Sequence, residues 1–234
     1  MHKSTPPSQT LTRRLRTLIT NLDNASAEST AKQICGWINS FKTCDDRFRG
    51  LLRLTTELVL EKAAVQLDGD SHYVLGCLCK TLDTATDGEY STFLNLFWEE
   101  ELQAVSVELL ANTMAEAGSW PECLALVVFA GELYRNALLR SDTLRSCAMA
   151  ICSSRSNLGL AVTCTLLETT GQSLCRDPEG RDCFDTVVKS MLLGGGISAH
   201  MRRRVQVLRL ISSIIPLMLN CLGIGCSADS RRDS

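Results

Sequence analysis

Histidine is scarce in this chain: His2, His72 and His200 are far apart in sequence. That leaves little with which to build a histidine metal site or a general-base pair. A Gly-x-Ser-x-Gly elbow and a Walker phosphate loop are also missing. Gly194-Gly195-Gly196 follows a helical pattern and not a strand, so it reads as a helix stop. Cys77 and Cys79 stand two apart on a helical stretch and point in different directions, and no second close pair completes a zinc set. Strand alternation and Asn-Gly hairpins do not occur. The expectation is an all-α, non-catalytic chain with no cofactor, no metal and no small-molecule substrate.

Surplus charge is lacking too. The 234 residues hold 24 Lys and Arg against 26 Asp and Glu, for a net charge of −2. No global field draws the chain to nucleic acid, so any RNA contact requires a local basic patch. The stretch from Met1 to Gln9 is polar, contains proline and has no apolar signal segment. Of the 12 cysteines, Cys35, Cys77, Cys123, Cys147, Cys152, Cys164 and Cys183 sit in apolar helical runs. They are expected to be small buried hydrophobes in a reducing, cytoplasmic setting.

What is present is helical periodicity. Leu11, Leu15, Leu18 and Leu22 mark a first short helix, and Ile34, Trp37, Ile38 and Phe41 a second. Asp45 and Asp46 open a third at its positive end, which continues through Phe48, Leu51, Leu52, Thr55, Val59 and Lys62. Ser71 begins a fourth, with Leu75, Leu78, Cys79 and Leu82. A fifth runs from about Tyr90 to Ala117. The sixth opens after Ser119 and Pro121, with Leu124, Val127, Val128, Gly131, Tyr134 and Leu138 on one line and Leu126, Phe129 and Leu133 on another. Apolar residues on both lines imply cover on two sides, and Gly131 implies that a neighbouring helix comes close.

Ser141 and Asp142 cap a seventh helix carrying Leu144, Cys147, Ala148, Ile151 and Cys152. An eighth spans Asn157 to Leu174. The ninth carries Phe184, Val187, Val188, Met191 and Leu192, and Ser198 caps a tenth. Leu210 to Gly225 has no charge, is short of the ~20 residues of a spanning helix, and holds Pro216. It reads as a packed final helix, with a weak tail anchor as the alternative. About ten helices joined by short loops fit five antiparallel hairpins stacked as a HEAT-like α-solenoid. The expected division is a disordered lead-in over 1–9, a single domain over 10–222 and a disordered polar tail over 223–234.

Phe129-Ala130-Gly131-Glu132-Leu133-Tyr134, followed by Leu138-Leu139, resembles the Phe-Ile-Gly-Glu-Leu-Phe/Tyr run of the middle domain of eukaryotic translation initiation factor 4G. Leu18 to Asp23 with Ile34 beyond, Glu61-Lys62-Ala63, Leu78-Cys79 and Arg204-Val205 resemble further stretches of that domain, in the same order. The resemblance covers roughly Leu11 to Leu208. The chain departs from the family in having no proline between Val65 and Val74 and in carrying Val127 where an arginine is usual.

The resemblance implies a scaffold in translation initiation that binds the DEAD-box helicase called initiation factor 4A, RNA or mRNA, and other initiation-complex proteins. Two alternatives stay open. One is an adaptor with a related middle domain in mRNA decay or a cap-binding complex; the other is a HEAT-like protein-interaction module without RNA. No membrane partner is expected.

Candidate contact residues follow from charge and aromatic exposure. Arg202, Arg203 and Arg204 near a helix start, and Arg13, Arg14 and Arg16 in the first helix, are candidates for RNA phosphate or an acidic helicase face. The ordinary reading of either triplet is a solvated face, because successive arginines point in different directions on a helix. Trp98, beside Glu99 and Glu100, is expected to be the exposed tryptophan, whereas Trp37 lies at core spacing. Gly131, Glu132 and Tyr134 are read as structural, with Glu132 pairing with a neighbour.

Overall fold

The computed structural model describes residues 9–66, 68–98, 120–153, 157–176, 178–193 and 198–221. The described residues form ten helices and no strands. In chain order these are α1 (Gln9–Thr20), α2 (Ala27–Ser40), α3 (Asp45–Val65), α4 (Gly69–Ala85), α5 (89–98), α6 (Trp120–Arg135), α7 (Ser141–Ser153), α8 (Asn157–Leu174), α9 (Pro178–Leu193) and α10 (Ala199–Cys221). Gln9, expected in the disordered lead-in, opens α1; the rest of that lead-in, the tail, and the fifth helix beyond residue 98 lie outside the described residues.

Local chemistry explains many of the boundaries. The Asp68 side chain accepts the backbone N–H of Ser71 at 2.7 Å, capping α4 two residues earlier than the sequence suggested. Ser198 caps α10 through the Met201 N–H, as its position implied. α6 ends in a Schellman turn: Leu138 N–H reaches Leu133 O and Ala137 N–H reaches Tyr134 O, both at 2.9 Å. Ala137 takes the left-handed position of that turn with φ 57°.

The packing is that of stacked hairpins. Consecutive helices pair as α1/α2, α3/α4, α7/α8 and α9/α10, while α2, α4, α6, α8 and α10 stack one on the next in a continuous layer. α1 on α3 and α7 on α9 belong to the opposite layer. α5 joins the two halves of the chain. Its Tyr90 is fully buried, with its hydroxyl 3.5 Å from the Cys79 thiol of α4.

At its other end the buried Asn95 amide donates to Leu138 O at 2.9 Å, and its carbonyl accepts the Arg140 N–H at 3.0 Å. α1 is tied to α3 by Lys62, whose ammonium donates to Thr20 O and Leu22 O at 2.9 and 2.7 Å. Those carbonyls sit at the end of α1, where the helix leaves them unpaired. No described helix is long and apolar enough to cross a membrane.

The core follows the helical stripes. Leu144, Cys147, Ala148, Ile151 and Cys152 are all buried, as are Leu75, Leu78, Cys79 and Leu82. Two details differ from the sequence reading. In α1 the deepest residues are Leu15 and Ile19, and Leu18 is only partly covered. In α6 the second line is the deeper one, with Phe129 and Leu133 fully buried. Cys35, Cys79, Cys147, Cys152, Cys164, Cys175 and Cys183 are buried, Cys77 is intermediate and Cys44 is exposed.

Candidate interaction surfaces

Gly131 and Glu132 occupy the middle of the even-numbered layer. A methyl group placed on Gly131 would meet Thr169 Oγ1 of α8 at 2.6 Å, so α6 and α8 approach as closely as the glycine implied. On the opposite side, a methyl group on Gly76 of α4 would meet Glu132 Cγ at 2.8 Å. Two glycines thus set the α4–α6–α8 spacing. Glu132 is buried in this seam. Its carboxylate pairs with Arg135 and accepts the Asn136 amide at 2.9 Å, which satisfies the buried charge. Tyr134 is half-buried, with its hydroxyl 3.1 Å from Ser141 Oγ. All three residues serve packing.

Beside them opens a cleft of about 1030 Å³ between the α6–α7 turn and the α8–α9 turn. Arg135, Arg140, Arg145 and Arg176 line it, together with Asp142, Glu179 and Asp182. The ion pairs there are open to water: Arg140 Nε stands 3.2 Å from Asp142, and Arg145 Nη1 stands 3.8 Å from Asp182. Exposed pairs of this kind contribute at most about 1 kcal/mol. Weak exposed pairs exchange readily with a competing phosphate or carboxylate. At the edge of the cleft, the α6–α7 turn is tied to α5 by Asn95 through Leu138 O and the Arg140 N–H.

The sequence reading missed this cleft. Its arginines come from segments separated by up to about forty positions, and only the hairpin stack brings them together. A faint signal was present in the clustering of arginine beside the breaks at Asn136-Ala137 and Asp177-Pro178.

The expected contact residues fare differently. Arg13 and Arg14 are exposed on α1, while Arg16 pairs with Glu61 of α3 at 2.9 Å. Arg202 and Arg203 are exposed on α10. Arg204 points inward: Nε and Nη2 each reach Glu168 of α8 at 2.6 Å, and Nη2 also reaches Thr165 Oγ1. It clamps two helices. The α1 and α10 triplets belong to the first and last hairpins and are not brought together.

The expectation of an exposed Trp98 is corrected: it is 3% exposed. Tyr90, Leu94 and Trp98 recur every four residues on one face of α5, and all three are buried. That periodicity outweighs the acidic neighbours that suggested exposure. Its indole N–H has no partner among the described residues. Trp37 is half-buried, in keeping with core spacing.

The histidines stay apart. His72 is buried at 5.8 Å from the Phe129 ring, with Nε2 3.1 Å from Ala63 O, so that nitrogen carries the proton. His200 is exposed on α10. Among the described residues no group of His, Cys, Asp and Glu could hold a metal ion. No family model matches this chain, and no curated protein matches it in sequence.

Proposed function

We propose that this protein is a non-catalytic helical scaffold in translation initiation that binds a DEAD-box RNA helicase of the initiation factor 4A kind and contacts RNA. The observation that carries the reading is the seating of Phe129 to Tyr134, the run resembling the factor 4G middle domain. Its glycine meets Thr169 of α8 and its glutamate meets Gly76 of α4. A motif used to lock three stacked helices suits a rigid body that holds a partner.

The cleft beside this motif is the contact surface favoured for acidic side chains of the helicase, through Arg140 and Arg145. Arg13 and Arg14 supply exposed charge for RNA phosphate. Such a scaffold acts by binding one arrangement of the helicase lobes better than another, which shifts their population.

The test is the RNA-stimulated ATPase rate of initiation factor 4A with increasing amounts of the full chain. A saturable rise in rate is expected, weakened by the double substitution Arg140→Glu and Arg145→Glu. An unchanged rate at saturating chain would overturn the reading.

A further inference from the structure

The outer face of α10 is not accounted for by the scaffold reading. α10 carries Arg202, Arg203, Arg204 and Arg209 and, from Ala199 to Cys221, neither Asp nor Glu. Arg204 is engaged with Glu168, while Arg202 and Arg203 are exposed. Val207, Leu210 and Ile214 are also exposed, at 54%, 60% and 49%. At about 100° per residue these three fall within roughly 60° of one another, with Arg203 in the same stripe. Their line is diametrically opposite the buried line of Met201, Val205 and Leu208. Gln206 separates the stripe from Arg202 and Arg209 on one flank. The result is an apolar strip with a basic end at Arg202 and Arg203, on the last helix of a layer in which α2, α4, α6 and α8 each support the next.

We propose that this face docks an acidic amphipathic helix of a partner protein, which lies along α10. Charge complementarity selects that occupant. The α8–α10 seam gives the precedent within the fold: apolar packing of Cys164 on Met201 beside the two-pronged Arg204–Glu168 pair. A helix with Leu facing Val207, Leu210 and Ile214, and Glu facing Arg203, repeats that chemistry one step further out.

Other occupants fit less well. RNA would find arginine but no aromatic ring for base stacking among the exposed residues of this strip. A second copy would set arginine against arginine across a two-fold axis. A lipid surface would meet, among the described residues of this strip, none of the aromatic side chains that anchor interfacial helices.

The experiment uses the full chain and a fluorescein-labelled designed helical peptide, with Leu at the spacing of Val207, Leu210 and Ile214 and Glu along its flanks. Anisotropy should show saturable binding. Replacing the flanking Glu by Lys in the peptide, or making Leu210→Glu or Arg203→Glu in the chain, should each weaken binding by about tenfold or more. Because both chain positions are exposed, the helical circular dichroism of the variants should match the parent. Leu210→Ser provides an uncharged second variant, expected to weaken binding in the same direction.

The proposal fails if the peptide does not bind, or if the Lys-flanked peptide binds equally well. It also fails if Leu210→Glu instead abolishes self-association of the chain, uptake by phosphatidylserine vesicles or binding of single-stranded RNA.

Discussion

Gly131 shows how much one missing side chain decides. Replacing it with Ala puts a methyl group 2.6 Å from Thr169 Oγ1, a hydroxyl already bonded to Thr165 O and Leu166 O on its own helix. α6 and α8 must then separate or Thr169 must rotate, and Gly131→Ala should destabilise the fold by roughly 1–3 kcal/mol in urea unfolding. The gain that alanine brings in a free helix, about 0.5–1 kcal/mol, would dominate if the contact were loose; a stabilised variant would refute the close approach.

Ala137 predicts the opposite sign. Its φ of 57° lies where a Cβ is penalised by roughly 1–2 kcal/mol, against about 0.4–1 kcal/mol of extra unfolded-state freedom for glycine. Ala137→Gly should therefore raise the thermal midpoint slightly.

Buried thiols set the alkaline limit. Burial pushes the Cys79 thiol up to about 12 and the Cys164 thiol up to about 11, from an ordinary value of 9.0. Burial also raises the Tyr90 hydroxyl well above its usual range. For these groups the folded-state value is the higher one. Their contribution is full below the unfolded value and is lost as pH climbs toward the folded value. Lys62 acts in the opposite sense, because burial lowers its pKa, but it is a single and less buried group. Stability measured by urea unfolding should be level near neutral pH and fall once pH passes about 9. A rise over that range would contradict the burial of Cys79 and Tyr90.

At the scale of elements, legibility followed amphipathicity. α7 shows its core stripe without interruption, and the sequence placed all five of its buried apolar residues. α8 runs from Asn157 to Leu174, the bounds its apolar pattern implied. The failures have physical causes. Trp98 was judged by its acidic neighbours, although residues adjacent in a helix point about 100° apart and share no environment. The cleft escaped notice because a pocket between two turns depends on tertiary stacking, which periodicity within one helix does not encode.

α5 makes the same point through Asn95, a polar residue in an apolar stretch that proves to be the tether to the α6–α7 turn. Asn95→Leu would leave the Leu138 carbonyl and the Arg140 N–H without that partner. A cost of about 1–3 kcal/mol is expected. Hydrogen exchange should show faster opening of residues 136–141 than of α3. Uniform exchange across the chain would argue against a local tether.

The whole molecule combines a hairpin stack, a close-packed central seam and charged surfaces at separate places along the chain. Arg13 and Arg14 lie on α1, the cleft arginines lie between the α6–α7 and α8–α9 turns, and the basic apolar strip lies on α10. In the proposed scaffold role, that separation would let the surfaces engage different partners.

Helicase binding can be read without an enzymatic step by calorimetric titration of the purified full chain into initiation factor 4A from the same organism. A saturable one-to-one isotherm is expected, weakened by the Arg140→Glu and Arg145→Glu pair and little changed by Arg13→Ala. No heat and no complex at micromolar concentrations would contradict it, leaving a helical stack whose partners are others.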